Sequence, residues 1–125
     1  EARILAALSD GTAYPLIHVQ TGPRLGMTME RVVECVSSVG KNAGVQCPEL
    51  TPDYVRHLLR WGLVEVDPGE TGDTMRYQLL ETETVVRSAL DAAHKSGRRG
   101  QIVRRTLRIS EVGRRLWGAC RLSGE

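Results

Sequence analysis

TPDYVRHLLRWGLVEVDP, residues 51–68, reads as a short capped helix that turns through a glycine directly into a β-strand. Thr51 can accept a backbone N–H as the N-cap, Pro52 suits the first helical position, and Asp53 sets a negative charge at the positive end of the helix. Val55, Leu58 and Leu59 share one face at helical spacing, and Gly62 supplies the positive φ that ends the helix. Leu63, Val64 and Val66 continue as a strand toward the turn formers Pro68, Gly69 and Gly72.

At 125 residues the chain is expected to form one domain. Its 41% hydrophobic and 26% charged content belongs to a globular protein. Phe is absent, so the core is expected from Leu, Val, Ile, Ala and the two Trp. No apolar run approaches membrane-spanning length and no signal peptide is visible, which predicts no membrane partner and a cytoplasmic location. The first residue is Glu1 rather than Met, as expected of a processed chain or a fragment. Cys35, Cys47 and Cys120 are odd in number and widely spaced, against both a disulfide framework and a CxxC zinc site. Cys35 is expected inside a helix and Cys47 in a Pro-flanked loop.

Upstream of the opening stretch, Ala2–Leu8 reads as a helix with Ile4, Leu5 and Leu8 inward, closed by Ser9-Asp10-Gly11. Tyr14–Val19 reads either as a helix opened by Pro15 or as a brief strand. Thr21-Gly22-Pro23 and Gly26 mark a loop. From Thr28 to about Gly40, Met29, Val32, Val33, Val36 and Val39 give the i, i+3, i+4, i+7 pattern of a helix, with Glu30, Arg31 and Glu34 outward. Downstream, Met75, Tyr77 and Leu79 alternate with Arg76 and Gln78 as a returning strand would. Thr82 or Thr84 caps a helix with the stripe Val85, Val86, Ala89, Leu90, Ala93. A strand follows with Val103, Leu107 and Ile109 on one face and Arg104, Thr106 and Arg108 on the other, and Ser110 caps a last helix.

Helix, glycine, strand and turn in that order resemble the recognition helix and first wing strand of a winged helix-turn-helix domain. LRISEVGRRL, residues 107–116, resembles the strand-to-helix junction that leaves the wing in many bacterial regulators. The resemblance covers about residues 2–80 plus that junction. It implies an α+β, mostly helical fold: a winged helix-turn-helix with a β-hairpin wing over 63–80 and additional C-terminal helices, with a helix, basic strand and last helix over 82–122. The other arrangement makes residues 82–100 an insertion before the true returning strand. The loop 41–50 departs from the tight turn of the family.

The resemblance also implies binding of double-stranded DNA. Asp53, Arg56, His57 and Arg60 project from the Thr51 helix, where Arg could meet guanine edges or phosphates and Thr51 the backbone, while Tyr54 either touches a phosphate or packs at the domain edge. Charge is segregated: residues 61–94 carry two basic and seven acidic side chains, and residues 95–125 carry nine basic and two acidic. Arg98, Arg99, Arg104, Arg105 and Arg108 are therefore candidates for phosphate anchoring, or for pairing with the acidic segment. Asp67, Glu70 and Asp73 make the expected wing acidic, offset there only by Arg76. That feature points to the alternative function, a protein-interaction or homodimerisation module; a chain that starts without Met also permits an adaptor domain of a larger protein. His18, His57 and His94 are isolated, and no HExxH, nucleophile elbow, P-loop or GxGxxG occurs. The sequence therefore predicts neither an enzyme, nor a cofactor, nor a metal site.

Overall fold

The structure, a computed structural model, describes residues 2–23 and 28–124. In chain order the elements are helix α1 (Ala2–Leu8), strand β1 (Tyr14–Gly22), strand β2 (Glu30–Ser37), helix α2 (Val39–Ala43), a 3-10 turn (Pro48–Leu50), helix α3 (Thr51–Arg60) and strand β3 (Val64–Asp67). Helices α4 (Thr74–Glu81) and α5 (Thr84–Lys95), strand β4 (Arg99–Ile109) and helix α6 (Glu111–Gly124) complete the fold. The four strands form one antiparallel sheet in the order β2-β1-β4-β3.

Helices cover both faces of this sheet. On one face Leu16, Cys35, Val64, Leu107 and Ile109 pack with Ile4, Leu5 and Leu8 of α1, Val39 of α2 and Val55 and Leu58 of α3, and Trp117 of α6 closes against them. On the other, Ile17, Val19 and Val36 pack with Tyr77 and Leu80 of α4 and Val86 of α5. Each buried Leu or Val contributes about 1.5–3 kcal/mol, so the sheet is held chiefly by these two apolar layers.

This is not a winged helix, and the expected fold is corrected in three elements. First, Tyr14–Gly22 is a nine-residue strand at the centre of the sheet, paired along its length with β4. Its core residues Pro15–Val19 are buried on both faces, so they show no alternation. Second, Glu30–Ser37 is a strand and not a helix. Ile17 faces Val36 while Val19 faces Val33, so Glu34 and Cys35 together oppose His18. A second shift follows between the Val19–Val33 and Gln20–Arg31 pairs. Such bulges insert a residue, and they set Val33 and Val36 on one face at i, i+3, the spacing that imitates a helix. Third, residues 74–81 are a helix and not a returning strand. Asp73 caps it by accepting the Arg76 N–H at 3.2 Å, and Tyr77 and Leu80 point inward one turn apart.

β3 therefore pairs with β4, with Val64 opposite Ile109 and Asp67 opposite Thr106. Residues 68–98 are an excursion that carries α4 and α5 to the far face. The hairpin expected over 63–80 does not form, because its second arm is helical. Gly26, assigned to a loop from sequence, lies outside the described residues.

Several local readings agree with the structure. α3 has its expected span and buries Val55 and Leu58, and Gly62 takes φ +71°. The Ser110 hydroxyl accepts the Gly113 N–H at 2.9 Å at the start of α6. Thr51, however, is buried inside α3 rather than capping it. Its hydroxyl donates to the Pro48 carbonyl at 2.6 Å and sits where a Cβ on Gly40 would collide. Of the two Trp expected in the core, Trp61 is 74% exposed.

α6 packs at Gly113 against the residue just before β3, where an added Cβ would lie 1.9 Å from the Leu63 carbonyl oxygen. That oxygen also accepts the Ser110 N–H, so it cannot yield easily. Gly113→Ala is expected to lower unfolding stability by about 2–4 kcal/mol in urea titration. Gly118→Ala, with open space around its position in the same helix, is expected to raise it by up to about 1 kcal/mol. Equal effects at the two positions would contradict this packing.

Candidate functional site: an arginine cleft over His18

The bulge in β2 shapes the site. Cys35 has φ +59°, a left-handed conformation rare for a residue with a side chain. Its backbone N–H donates to His18 Nδ1 at 3.0 Å. Since Nδ1 accepts, the ring proton resides on Nε2, which becomes a neutral donor. His18 is only 3% exposed and forms part of the wall of an open cleft of about 500 Å3. Burial, reinforced by Arg31 and Arg105 and opposed by Glu34, lowers its pKa to about 4. Burial likewise raises the Cys35 thiol to about 11, so it stays protonated and is a poor nucleophile at neutral pH.

Three guanidinium groups from three elements line the cleft: Arg31 of β2, Arg56 of α3 and Arg105 of β4. Arg56 pairs with Asp53 one turn earlier on α3. Arg105 donates to the carbonyls of Arg104 and Pro68, at 3.0 and 3.4 Å. Among the described residues neither Arg31 nor Arg105 forms an ion pair. Leu59, Val64, Val66 and Pro68 supply an apolar wall, and Glu34 adds a carboxylate near His18. Glu65, between Val64 and Val66 and opposite Arg108, turns its carboxylate to the other face of β3. Chemically such an arrangement can receive an anion: cationic forks beside a neutral N–H donor.

Two of the residues singled out from sequence, Arg56 and Arg105, meet in this cleft. Strand alternation separates Arg105 from its neighbour Arg104: Arg105 lies opposite Leu16 on the α3 face, Arg104 opposite Ile17 on the α4 face. Arg104 is bound to Glu81 at 2.8 Å and Glu70 at 3.2 Å, over the ring of Tyr77. Arg108 pairs with Asp67 at 2.7 Å, and Arg76 pairs with Asp73 beside the Tyr14 ring. The opposed charge blocks thus meet within one molecule, fastening the 68–83 excursion onto β4. Arg98 and Arg99 stand at the start of β4, with Arg99 opposite Gly22 at the other end of its pairing with β1. Tyr54 packs half-buried at the edge of the core, and His57 and Arg60 are exposed on α3 outside the cleft.

Sequence reasoning missed His18, Arg31 and Glu34. Nothing in the spacing of His18 or Arg31 foretells the register shifts that bring them to one face. Among the described residues no group of three or more His, Cys, Asp or Glu could hold a metal ion. None of the described helices is long and apolar enough to cross a membrane.

A three-layer α/β/α arrangement with one antiparallel sheet and an arginine cleft at its bulged edge defines the class. The profile of the family described as abortive infection alpha matches residues 1–120, and the chain belongs to that family. A solved structure of an uncharacterized protein from the hydrocarbon-degrading marine bacterium Alcanivorax borkumensis SK2 is 36% identical. It matches with a TM-score of 0.70 over 94% of this chain and 81% of its own. No curated protein is significantly similar to the chain.

The His18 pKa lies below the ordinary value of 6.5, so the unfolded chain takes up a proton that the folded one refuses. Stability from this group is complete above about pH 6.5 and is lost as pH falls toward 4, by about 3 kcal/mol in all. In His18→Asn the amide oxygen can accept the Cys35 N–H but does not titrate. The variant is expected to lose less stability than the wild type between pH 7 and pH 4.5 in urea titrations. Identical losses would contradict the assignment of His18 as buried and neutral.

Proposed function

We propose that this abortive infection alpha protein binds a phosphate-bearing ligand of nucleic-acid chemistry in the cleft over His18. The observation that carries the proposal is the convergence of Arg31, Arg56 and Arg105 on one recess, with Arg31 and Arg105 lacking carboxylate partners. Like charges held together repel one another, and a bound phosphate relieves that repulsion while accepting their N–H groups. A hydrogen bond to a charged group is worth about 1.5–3 kcal/mol, so loss of one guanidinium should weaken binding about 10- to 100-fold. The family description supports a role in abortive infection, where viral and host nucleic acids and nucleotides are at hand. Double-stranded DNA enters this reading through its backbone or terminal phosphates, because α3 lies flat on the sheet with Arg56 directed into the cleft. A cytoplasmic site of action accords with Cys35, Cys47 and Cys120 being thiols, with no disulfide among the described residues.

The second reading is protein interaction, favoured by an apolar slot of about 580 Å3 beside the cleft. It straddles the outer edge of β2 between α3 and the start of α5, and its walls include Val32, Val36, Pro48, Pro52 and Val85. Val32 and Val85 are each 50% exposed there.

Fluorescence anisotropy with 5′-phosphorylated single- and double-stranded DNA and RNA, titrated with salt, separates the readings. Arg31→Ala with Arg105→Ala is expected to weaken binding at least about 100-fold and to reduce the salt slope by about 2. Arg98→Ala with Arg114→Ala is expected to change affinity far less. No binding by the wild type at low salt, or unchanged affinity in the cleft variant, would overturn the proposal.

A further inference from the structure

The cleft does not end at Arg105. A second open recess of about 500 Å3 adjoins it, sharing Arg105 and Pro68 and lined further by Gln20 of β1 and by Gln101 and Val103 of β4. β1 and β4 pair without a register shift from Tyr14–Leu107 to Gly22–Arg99, so strand alternation assigns their faces directly. Arg105, Val103, Gln101 and Arg99 share the α3 face with His18 and Gln20. Gln20 stands opposite Gln101, and Val103 opposite His18. This half of the face is open: Gln101 and Arg99 are exposed, and Gln20 and Val103 are half-buried. Its chemistry suits an anion along its whole length, because neither β1 nor β4 contains an Asp or Glu. Arg104 and Arg108, on the other face, hold Glu70, Glu81 and Asp67, so Glu70 at the margin of the second recess is already matched.

From this continuity we infer that the ligand is a single strand of nucleic acid, which lays a phosphate on Arg105 where the two recesses meet and runs along β4 toward Arg99. Gln20 and Gln101 meet base edges with side-chain amides that both donate and accept, and Val103 gives a base an apolar seat. Arg105 and Arg99 are six residues apart on β4, or about 20 Å of strand. A stacked strand rises about 3.4 Å per nucleotide, so the track holds about six of them. Single-strand-binding folds take roughly 4–16 nucleotides each. A duplex is stiff over about 150 base pairs and keeps its base edges paired, so it meets the cleft only with an end or a passing phosphate. A flexible single strand bends from one recess into the next and presents unpaired edges to both glutamines. A lone nucleotide fills the cleft and leaves the second recess unused. The inference rests on the cleft being the phosphate site, and it adds what leads out of it.

Isothermal titration calorimetry of the whole chain tests this with 5′-phosphorylated strands of one, two, four, eight and twelve nucleotides, as DNA and as RNA, and with a blunt duplex of twelve base pairs. In at least one series the affinity is expected to rise about tenfold or more from one nucleotide to eight and to level off by twelve. The duplex is expected to bind about tenfold or more weaker than its single strand. Gln20→Ala with Gln101→Ala is expected to weaken the eight-nucleotide strand about tenfold and to leave the mononucleotide unchanged. Arg99→Ala is expected to lower the salt slope of the eight-nucleotide strand by about 0.7 and not that of the mononucleotide. Circular dichroism verifies that the variants are folded, and the length series needs no variant. A mononucleotide binding as tightly as every longer strand, or a duplex binding as tightly as its single strand, would overturn the inference and leave the phosphate cleft standing. Unchanged strand affinity in the folded glutamine variant would do the same. Failure of every probe to bind at low salt would remove both the inference and the proposed function.

Discussion

The backbone N–H of Cys35 donating to the ring of His18 is the contact on which the edge of this sheet depends. It joins the central strand to the outermost one where β2 carries one residue more than its partner. A left-handed φ at a residue with a Cβ costs on the order of 1–3 kcal/mol, so surrounding structure must hold it there. The buried, neutral imidazole does so by satisfying an amide that the ladder has abandoned. Were His18 to take a proton on Nδ1, the amide would face another donor and lose its partner. This bulge leaves Val33 and Val36 on the opposite face from Cys35, and the second register shift, at Val32, sets Arg31 on the face of the recess. Fold and candidate site thus share the irregular register of β2, and bulges often lie beside functional sites.

The electrostatics follow from strand alternation. β4 carries consecutive arginines, 104 and 105, and pleating sends them to opposite faces. On the α4 face Arg104 is held between Glu81 and Glu70 and serves the fold. On the α3 face Arg105 has only backbone carbonyls and joins Arg31 and Arg56 around the cleft. A basic run in sequence is thus divided between a structural fastening and a candidate binding surface. The acidic residues 67–83 answer the first and leave the second unanswered.

Elements whose signals are local were legible in the sequence. α3 with its Gly62 stop, α5, and α6 with its Ser110 cap each carry their own period and terminators. The elements misread are those whose signals come from tertiary context. β1 is buried on both faces and so offers no alternation. β2 offers helical spacing because it is bulged, and Met75, Tyr77 and Leu79 alternate by coincidence within α4, where only Tyr77 of the three is buried. From a helix in place of β2 and a strand in place of α4, the winged-helix reading followed naturally. An Asp73 cap three residues before the Arg76 amide was the available sign that a helix, not a strand, begins there. Of the cleft, Arg56 and Arg105 were visible as candidates, but their meeting was not, since it depends on which strands are neighbours.

The most direct measurement is two-dimensional 15N NMR of the labelled protein during titration with a 5′-phosphorylated oligonucleotide. The account predicts the largest shifts at the Cys35 amide, at the His18 ring nitrogens and at the side-chain Nε groups of Arg31 and Arg105. Shifts confined to the start of β4 around Arg98 and to α6 around Arg114, or no shifts at all, would contradict it.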